Sequence, residues 1–311
     1  MIPSLALAFA LTATTIGCAQ SAVPQKENLA TEPIDQLSIK GISFQTAAPL
    51  VGEVDEHAGY TREIVRVQWR EGDPIDLFIV KPTGKTMTPV VLFLYSWPGD
   101  TGRFFSDAWC RTVTQRGIAA VGFVSALTGG RYHDRPWKQW FVSELPEAFT
   151  KSVHDVQMIL NYLETRHDLD TARVGMFGQG SGGTIALLAA SVEPRLKAVD
   201  VIDPWADWPD WYAASPIVPS SQHDQLNRPE FVQSLQALDP VKVLPTLAPD
   251  RVRVQEATLN PVNPAPAKAK LRIAAGSHAF AQYLTEEDYR EKAMKDGAIL
   301  NWLTTKLAHP L

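Results

Sequence analysis

Two kinds of hydrophobic spacing divide the chain. Ile64-Val65-Arg66-Val67-Gln68-Trp69 alternates apolar with polar positions, Glu71-Gly72-Asp73 follows, and Ile75-Asp76-Leu77-Phe78-Ile79-Val80 alternates again. Period-two spacing on both sides of a polar turn predicts an antiparallel hairpin. From residue 89 the spacing changes. Val90-Val91-Leu92-Phe93-Leu94 is continuously apolar, as expected of a strand buried on both faces. A helix then ends at Gly117, and a second buried strand spans 118–124. A polar loop containing Arg131-Tyr132-His133-Asp134-Arg135 leads to a helix over 147–166, with Val153, Val156, Ile159, Leu160 and Leu163 on one face.

Further strands are predicted at 173–177, 196–202, 252–256 and 271–275, with a helix over 184–190 after the first of them. Thr285, followed by Glu286, Glu287 and Asp288, supplies an N-cap and an acidic first turn for a last helix to about residue 307. Strand and helix alternate, which predicts an α/β fold with a mostly parallel central sheet flanked by helices. Residues 204–245 break the alternation and read as a small insertion, or cap. There is no internal repeat and no low-complexity tract.

The N-terminus adds a targeting signal. Residues 1–19 hold one short apolar run ending in small residues, too short to span a bilayer, and read as a signal peptide. Residues 20–37 form a polar linker, and 38–311 form the folded domain. Thr15-Ile16-Gly17-Cys18 is similar to a bacterial lipobox, so ordinary cleavage and lipidation at Cys18 are both open. Either way the chain is expected to be exported, to the bacterial periplasm, an outer-membrane lipoprotein pool or the medium. A lipid on Cys18 is the expected route to a membrane.

Cys110 is then without an intrachain partner and reads as a small buried hydrophobe. Of 311 residues, 45% are hydrophobic and 20% charged, which excludes a disordered chain. Lys and Arg number 29 against 34 Asp and Glu, with no basic run, so nucleic acid is not an expected partner. No metal or organic cofactor is implied.

The candidate chemistry lies at Gly178-Gln179-Gly180-Ser181-Gly182-Gly183, where a buried strand meets a helix. Its glycines satisfy G-x-G-x-x-G, but no acidic residue ends a following strand at the spacing a dinucleotide fold uses. Taken with the strand–loop of Leu94 to Gly99, the helix ending Tyr162-Leu163-Glu164, and Ala274-Ala275-Gly276-Ser277-His278-Ala279-Phe280, the corner points elsewhere. Over residues 62 to 307 the chain resembles the α/β-hydrolase superfamily, in particular dienelactone-hydrolase and prolyl-oligopeptidase-like secreted esterases and peptidases.

That resemblance implies an α/β-hydrolase fold, a G-x-S-x-G nucleophile elbow, and acyl transfer from a small ester or peptide-like substrate. It also exposes departures. With Gly178 and Gly182 at the flanking positions, the nucleophile slot falls on Gly180, and Ser181 is one residue late. Ser181 then either caps the following helix, with its amide facing the site, or a register slip brings it to the apex. His278 stands in the place of the family's base. Asn260, in Asn260-Pro261-Val262-Asn263-Pro264, occupies the acid's position, and Asp203 is a substitute acid or a helix cap. Trp97 and Gly182 are expected at the oxyanion pocket. Trp205, Trp208 and Trp211 either form an aromatic lip or pack the insertion onto the sheet.

Two functions stay open on these residues, beside a third in which His278 abstracts a proton from a carbonyl substrate without a covalent step. One is serine hydrolysis with Ser181 as displaced nucleophile, His278 as base and Asp203 as orienting acid. The other is a catalytically inactive hydrolase-fold protein that binds a ligand or partner.

Overall fold

The computed structural model describes residues 32–33, 35–85, 87–99, 101–127, 131, 144–295 and 297–308. The leader, the lipobox with Cys18, and His133 lie outside these residues. The alternating segment forms β2 (Tyr60–Gln68) and β3 (Pro74–Pro82), preceded by a strand not read from the sequence, β1 (Ala47–His57). In β2 the side chains of Val65 and Val67 are buried while Arg66 is exposed, as the period-two spacing demands. β1 gives no such signal because both its faces are exposed along most of its length.

Strands and helices then alternate: β4 (Thr88–Leu94), α1 (Asp107–Gln115), β5 (Ala119–Phe123), α2 (Leu145–Leu163), β6 (Leu169–Gln179), α3 (Ser181–Val192) and β7 (Leu196–Ile202). The insertion follows, carrying α4 (Trp208–Ala214), α5 (Pro229–Gln236) and α6 (Pro240–Val243). The chain returns through β8 (Val252–Ala257), α7 (Ala265–Ala275), β9 (Ala279–Tyr283), α8 (Glu286–Tyr289) and α9 (Ala298–Ala308).

The sheet order is β1-β2-β3-β5-β4-β6-β7-β8-β9. β1, β2, β3 and β5 pair antiparallel, and every other pairing is parallel. This is the α/β-hydrolase fold. One face of the sheet buries its apolar side chains against α2 and α3, the other against α1 and α9.

Two expectations are corrected. Residues 271–275, read as a short strand, are the last turn of α7. The segment from Ala265 is rich in Ala, Lys, Leu and Arg, all strong helix formers, and Ile273 is 80% exposed. A five-residue apolar window cannot separate a strand from a helix. The strand is β9, which begins one residue after His278. The last helix is also broken. Thr285 does cap it, through a complete capping box with Asp288, but a π-helical turn over Arg290–Lys295 and Gly297 at φ 69° separate α8 from α9.

Arg131, from the polar loop, is structural. Its buried guanidinium bridges Asp73 after β2 and Asp155 of α2, each at 2.5 Å. Asp155 is fully buried and also accepts from Trp69 Nε1 (2.9 Å) and Arg70. Burial pushes its carboxyl up, but Arg131 and Arg70 outweigh this and hold it below the ordinary carboxylate range. No helix among the described residues is long and apolar enough to cross a membrane.

Candidate functional site

β6 turns into α3 through a single residue, Gly180, at φ 55° and ψ −121°. L side chains rarely adopt that backbone, and glycine adopts it freely. The Gly180 amide donates to Ile202 O at 2.9 Å, and its carbonyl accepts from the Thr184 amide at 3.1 Å, closing the first turn of α3. The flanking glycines are required by contact. A Cβ on Gly178 would stand 2.4 Å from Gly182 O, and one on Gly182 would stand 2.1 Å from Leu94 O. The apex is therefore residue 180, and the slipped register with Ser181 at the tip is not adopted.

Ser181 is the first residue of α3 and buried. Its Oγ does not cap the helix, contrary to one expectation: it accepts a hydrogen bond of 2.9 Å from the Trp97 amide. The space beside the apex is lined from elsewhere. The position a Cβ would take on Gly180 lies 2.4 Å from Ser96 Oγ and 3.4 Å from Trp205 Nε1. Ser96, one residue beyond Tyr95 in the loop after β4, was not among the sequence candidates. Only the glycine at 180 makes room for it.

The sequence candidates for base and acid do not join Ser181. His278 precedes β9, whereas the elbow lies past the carboxyl end of β6. Ala279 pairs with Arg253, Arg253's neighbour across the next ladder is Asp200, and Asp200 pairs with Phe177. His278 therefore sits about 13 Å down the strands and about 14 Å across them from Gly180. Its ring nitrogens face Ala275 O (2.7 Å) and Leu247 O (3.2 Å). A strand at 271–275 would set His278 on the elbow side; the helix there and the strand after it set His278 at the opposite end. The loop that does follow the last strand is Leu284-Thr285-Glu286.

Asp203, after β7, lies at the elbow end of the sheet. Its Oδ1 accepts from the Ala257 amide (3.0 Å) and its Oδ2 from Asn260 Nδ2 (2.9 Å). It caps no helix. Burial raises its carboxyl to about 6, against the pull of those two bonds. Asn260 Nδ2 also donates to Glu286 Oε1 at 3.2 Å. Lys268 Nζ donates to the carbonyls of Ala257, Thr258 and Asn260 at 3.0, 2.8 and 2.7 Å, shaping the loop that carries Asn260. Glu286 and Lys268 escaped the sequence reading, one as a helix first-turn acid and the other as an apparently solvated lysine.

The sequence profile of the X-Pro dipeptidyl-peptidase family (S15) matches residues 71–304. The chain belongs to that family. Solved structures share the fold of this S15-family chain at low identity. The acetyl xylan esterase from Paenibacillus sp. R4 is 15% identical, with a TM-score of 0.61 over 83% of this chain and 88% of that one. Methylesterase BT1017 is 18% identical at 0.62, over 86% and 60%. The acylaminoacyl peptidase of Pyrococcus horikoshii is 12% identical at 0.59, over 84% and 50%.

In this S15-family chain aromatic packing holds the start of the insertion together and against Phe149 of α2. Trp205, Trp208 and Trp211 are all buried, so none forms an exposed lip. Trp205 stacks on Trp211 at 4.9 Å, and Trp208 meets Trp211 edge-on at 5.5 Å. Thr184 Oγ1 donates to Trp205 O at 2.8 Å, tying the start of the insertion to α3. Trp208 and Tyr212 also line a partly open cavity of about 250 Å³ inside the insertion, together with Val232, Leu235 and Lys242. Among the described residues, no three His, Cys, Asp or Glu side chains are grouped as a metal site.

Proposed function

We propose that this chain is a non-covalent member of the esterase and peptidase lineage. It binds an ester- or peptide-derived ligand over the elbow and forms no acyl-enzyme there. The observation that carries this reading is the apex itself: residue 180 offers no hydroxyl, and the hydroxyl of Ser181 is held by the Trp97 amide. Serine catalysis needs a nucleophile within hydrogen-bond reach of a base, and the base oriented by a third group. Here Asp203 orients Asn260, an amide that cannot take a proton. Were Ser181 to attack, it would first have to release an amide that its own reaction would need for the developing oxyanion. The reading includes export, on the strength of the apolar leader over residues 1–19, with Cys18 as the candidate lipid anchor.

The test is a fluorophosphonate probe applied to the mature protein beside Ser181→Ala and His278→Ala, with hydrolysis of p-nitrophenyl acetate followed in parallel. Neither labelling nor turnover above the buffer rate is expected. Labelling of the unsubstituted protein, whichever variant abolishes it, would overturn the reading.

A further inference from the structure

We propose that the cavity inside the insertion is a binding site for a small organic ammonium ion, with Asp239 as its counter-ion and Trp208, Tyr212 and Val232 around its apolar body. The proposal goes beyond the reading of the elbow and does not rest on it, since neither Gly180, Ser181 nor Trp97 lines this cavity. At about 30 Å³ of liquid volume per water, 250 Å³ is room for a molecule of about eight to ten non-hydrogen atoms.

Asp239 is the sign that the ligand is charged. It lines the cavity, yet only 5% of its surface is exposed. Both of its hydrogen bonds fall on Oδ1, which accepts the amides of Asp207 at 2.9 Å and Val241 at 3.0 Å. Oδ2 accepts none from a described residue, and no Lys or Arg among them pairs with it. Acids this buried are ordinarily paired. Half of a carboxylate is therefore left for a cation that enters the cavity.

The charges around it leave the site one cation short. Lys270 of α7 is shared by Asp207 (2.8 Å) and Asp210 (2.9 Å). Burial pushes the Asp207 carboxyl up, Lys270 pulls it down, and Asp210 beside it pushes it up again. Lys242 is exposed and donates to Gln236 Oε1 at 3.2 Å. Three carboxylates thus meet two ammonium groups, and a third ammonium at Asp239 Oδ2 restores the balance. The rings of Trp208 and Tyr212 add cation–π attraction. Trp208 is held beforehand by its Nε1–H bond to Leu238 O, 3.0 Å, so little ordering is left for a ligand to impose. A carboxylate or phosphate would meet Asp207 and Asp239 with like charge. A neutral molecule would leave Oδ2 unanswered.

Phenethylamine, 2-phenylethanol and 3-phenylpropanoate are the probes: one ring and arm ending in an ammonium, a hydroxyl or a carboxylate. Each is titrated calorimetrically at pH 7 into the mature protein, Asp239→Asn and Val232→Phe. In Asp239→Asn an Oδ1 remains for the two amides, and asparagine caps a helix as well as aspartate does, so the charge alone is lost. The amine is expected to bind at least tenfold more tightly than the alcohol, and the carboxylate more weakly than either. Asp239→Asn is expected to bring the amine down to the alcohol's affinity, and Val232→Phe to weaken both at least tenfold by narrowing the cavity. No binding of the amine, equal affinity for amine and alcohol, tighter binding of the carboxylate, or an amine affinity unmoved by Asp239→Asn overturns the proposal. Should Asp239→Asn lose its fold by circular dichroism, Val232→Phe and the amine-to-alcohol ratio in the mature protein decide. Fluorophosphonate labelling bears on the elbow alone, so failure of the non-covalent reading and failure of this one are read separately.

Discussion

Asp203 has a carboxyl that folding makes harder to ionise. Its ordinary value of 3.8 rises to about 6 because burial removes water from the charged form faster than Asn260 and Ala257 replace it. The sign of the pH effect follows. Below about pH 4 the group is protonated in folded and unfolded chains alike, and its contribution to stability is complete. Between pH 4 and 6 the unfolded chain sheds its proton first, so stability falls, levelling above pH 6 at a loss of about 3 kcal/mol. Asp203→Asn removes this titration. Thermal unfolding from pH 4 to 8 should show the variant gaining on the parent chain as pH rises; a difference in Tm that is flat with pH would count against it. The sequence marked both Asp203 and Asn260 as candidates. It could not show that they bind each other, because each had a plausible role beside an imidazole that the fold places elsewhere.

The same contrast between local and distant information holds for whole elements. The hairpin, the buried strands and α2 were legible because each is specified by its own periodicity. What ties them together was not. Arg131, Asp155, Arg70, Asp73 and Trp69 Nε1 join a loop, a helix and a hairpin through fully or largely buried polar contacts. Asp155→Ala leaves the Arg131 guanidinium buried without its central carboxylate, so a loss of about 3–5 kcal/mol is expected. Urea unfolding measures it, and a loss below 1 kcal/mol would mean that the arginine finds water or another anion. The mistaken strand at 271–275 shows the reverse failure. Its apolar residues are the end of a helix that begins six residues earlier, at Ala265.

At the scale of the molecule, one face of the sheet depends on the last helix. Leu300, Leu303 and Leu307 of α9 are buried there, and Gly175 of β6 admits Leu303 and Leu307 so closely that a Cβ would stand 3.4 and 3.3 Å from them. Three buried leucines contribute about 5–9 kcal/mol, comparable with the whole stability of a typical domain. A chain ended at residue 296 should lose its cooperative thermal transition, and one that melts within a few degrees of the full chain would show the face closed by other means. Residue order alone determined the alternation of strands and helices, the buried character of the central strands, and the glycine-lined bend at residue 180, since each follows from spacing within a short stretch. Which side chains meet at that bend was decided only by the tertiary structure. Strand order and register bring Ser96 and Trp205 to Gly180, pair Asp203 with Asn260, and leave His278 at the far end of its strand. Contacts between segments this distant along the chain depend on the sheet as a whole, and no local pattern encodes them.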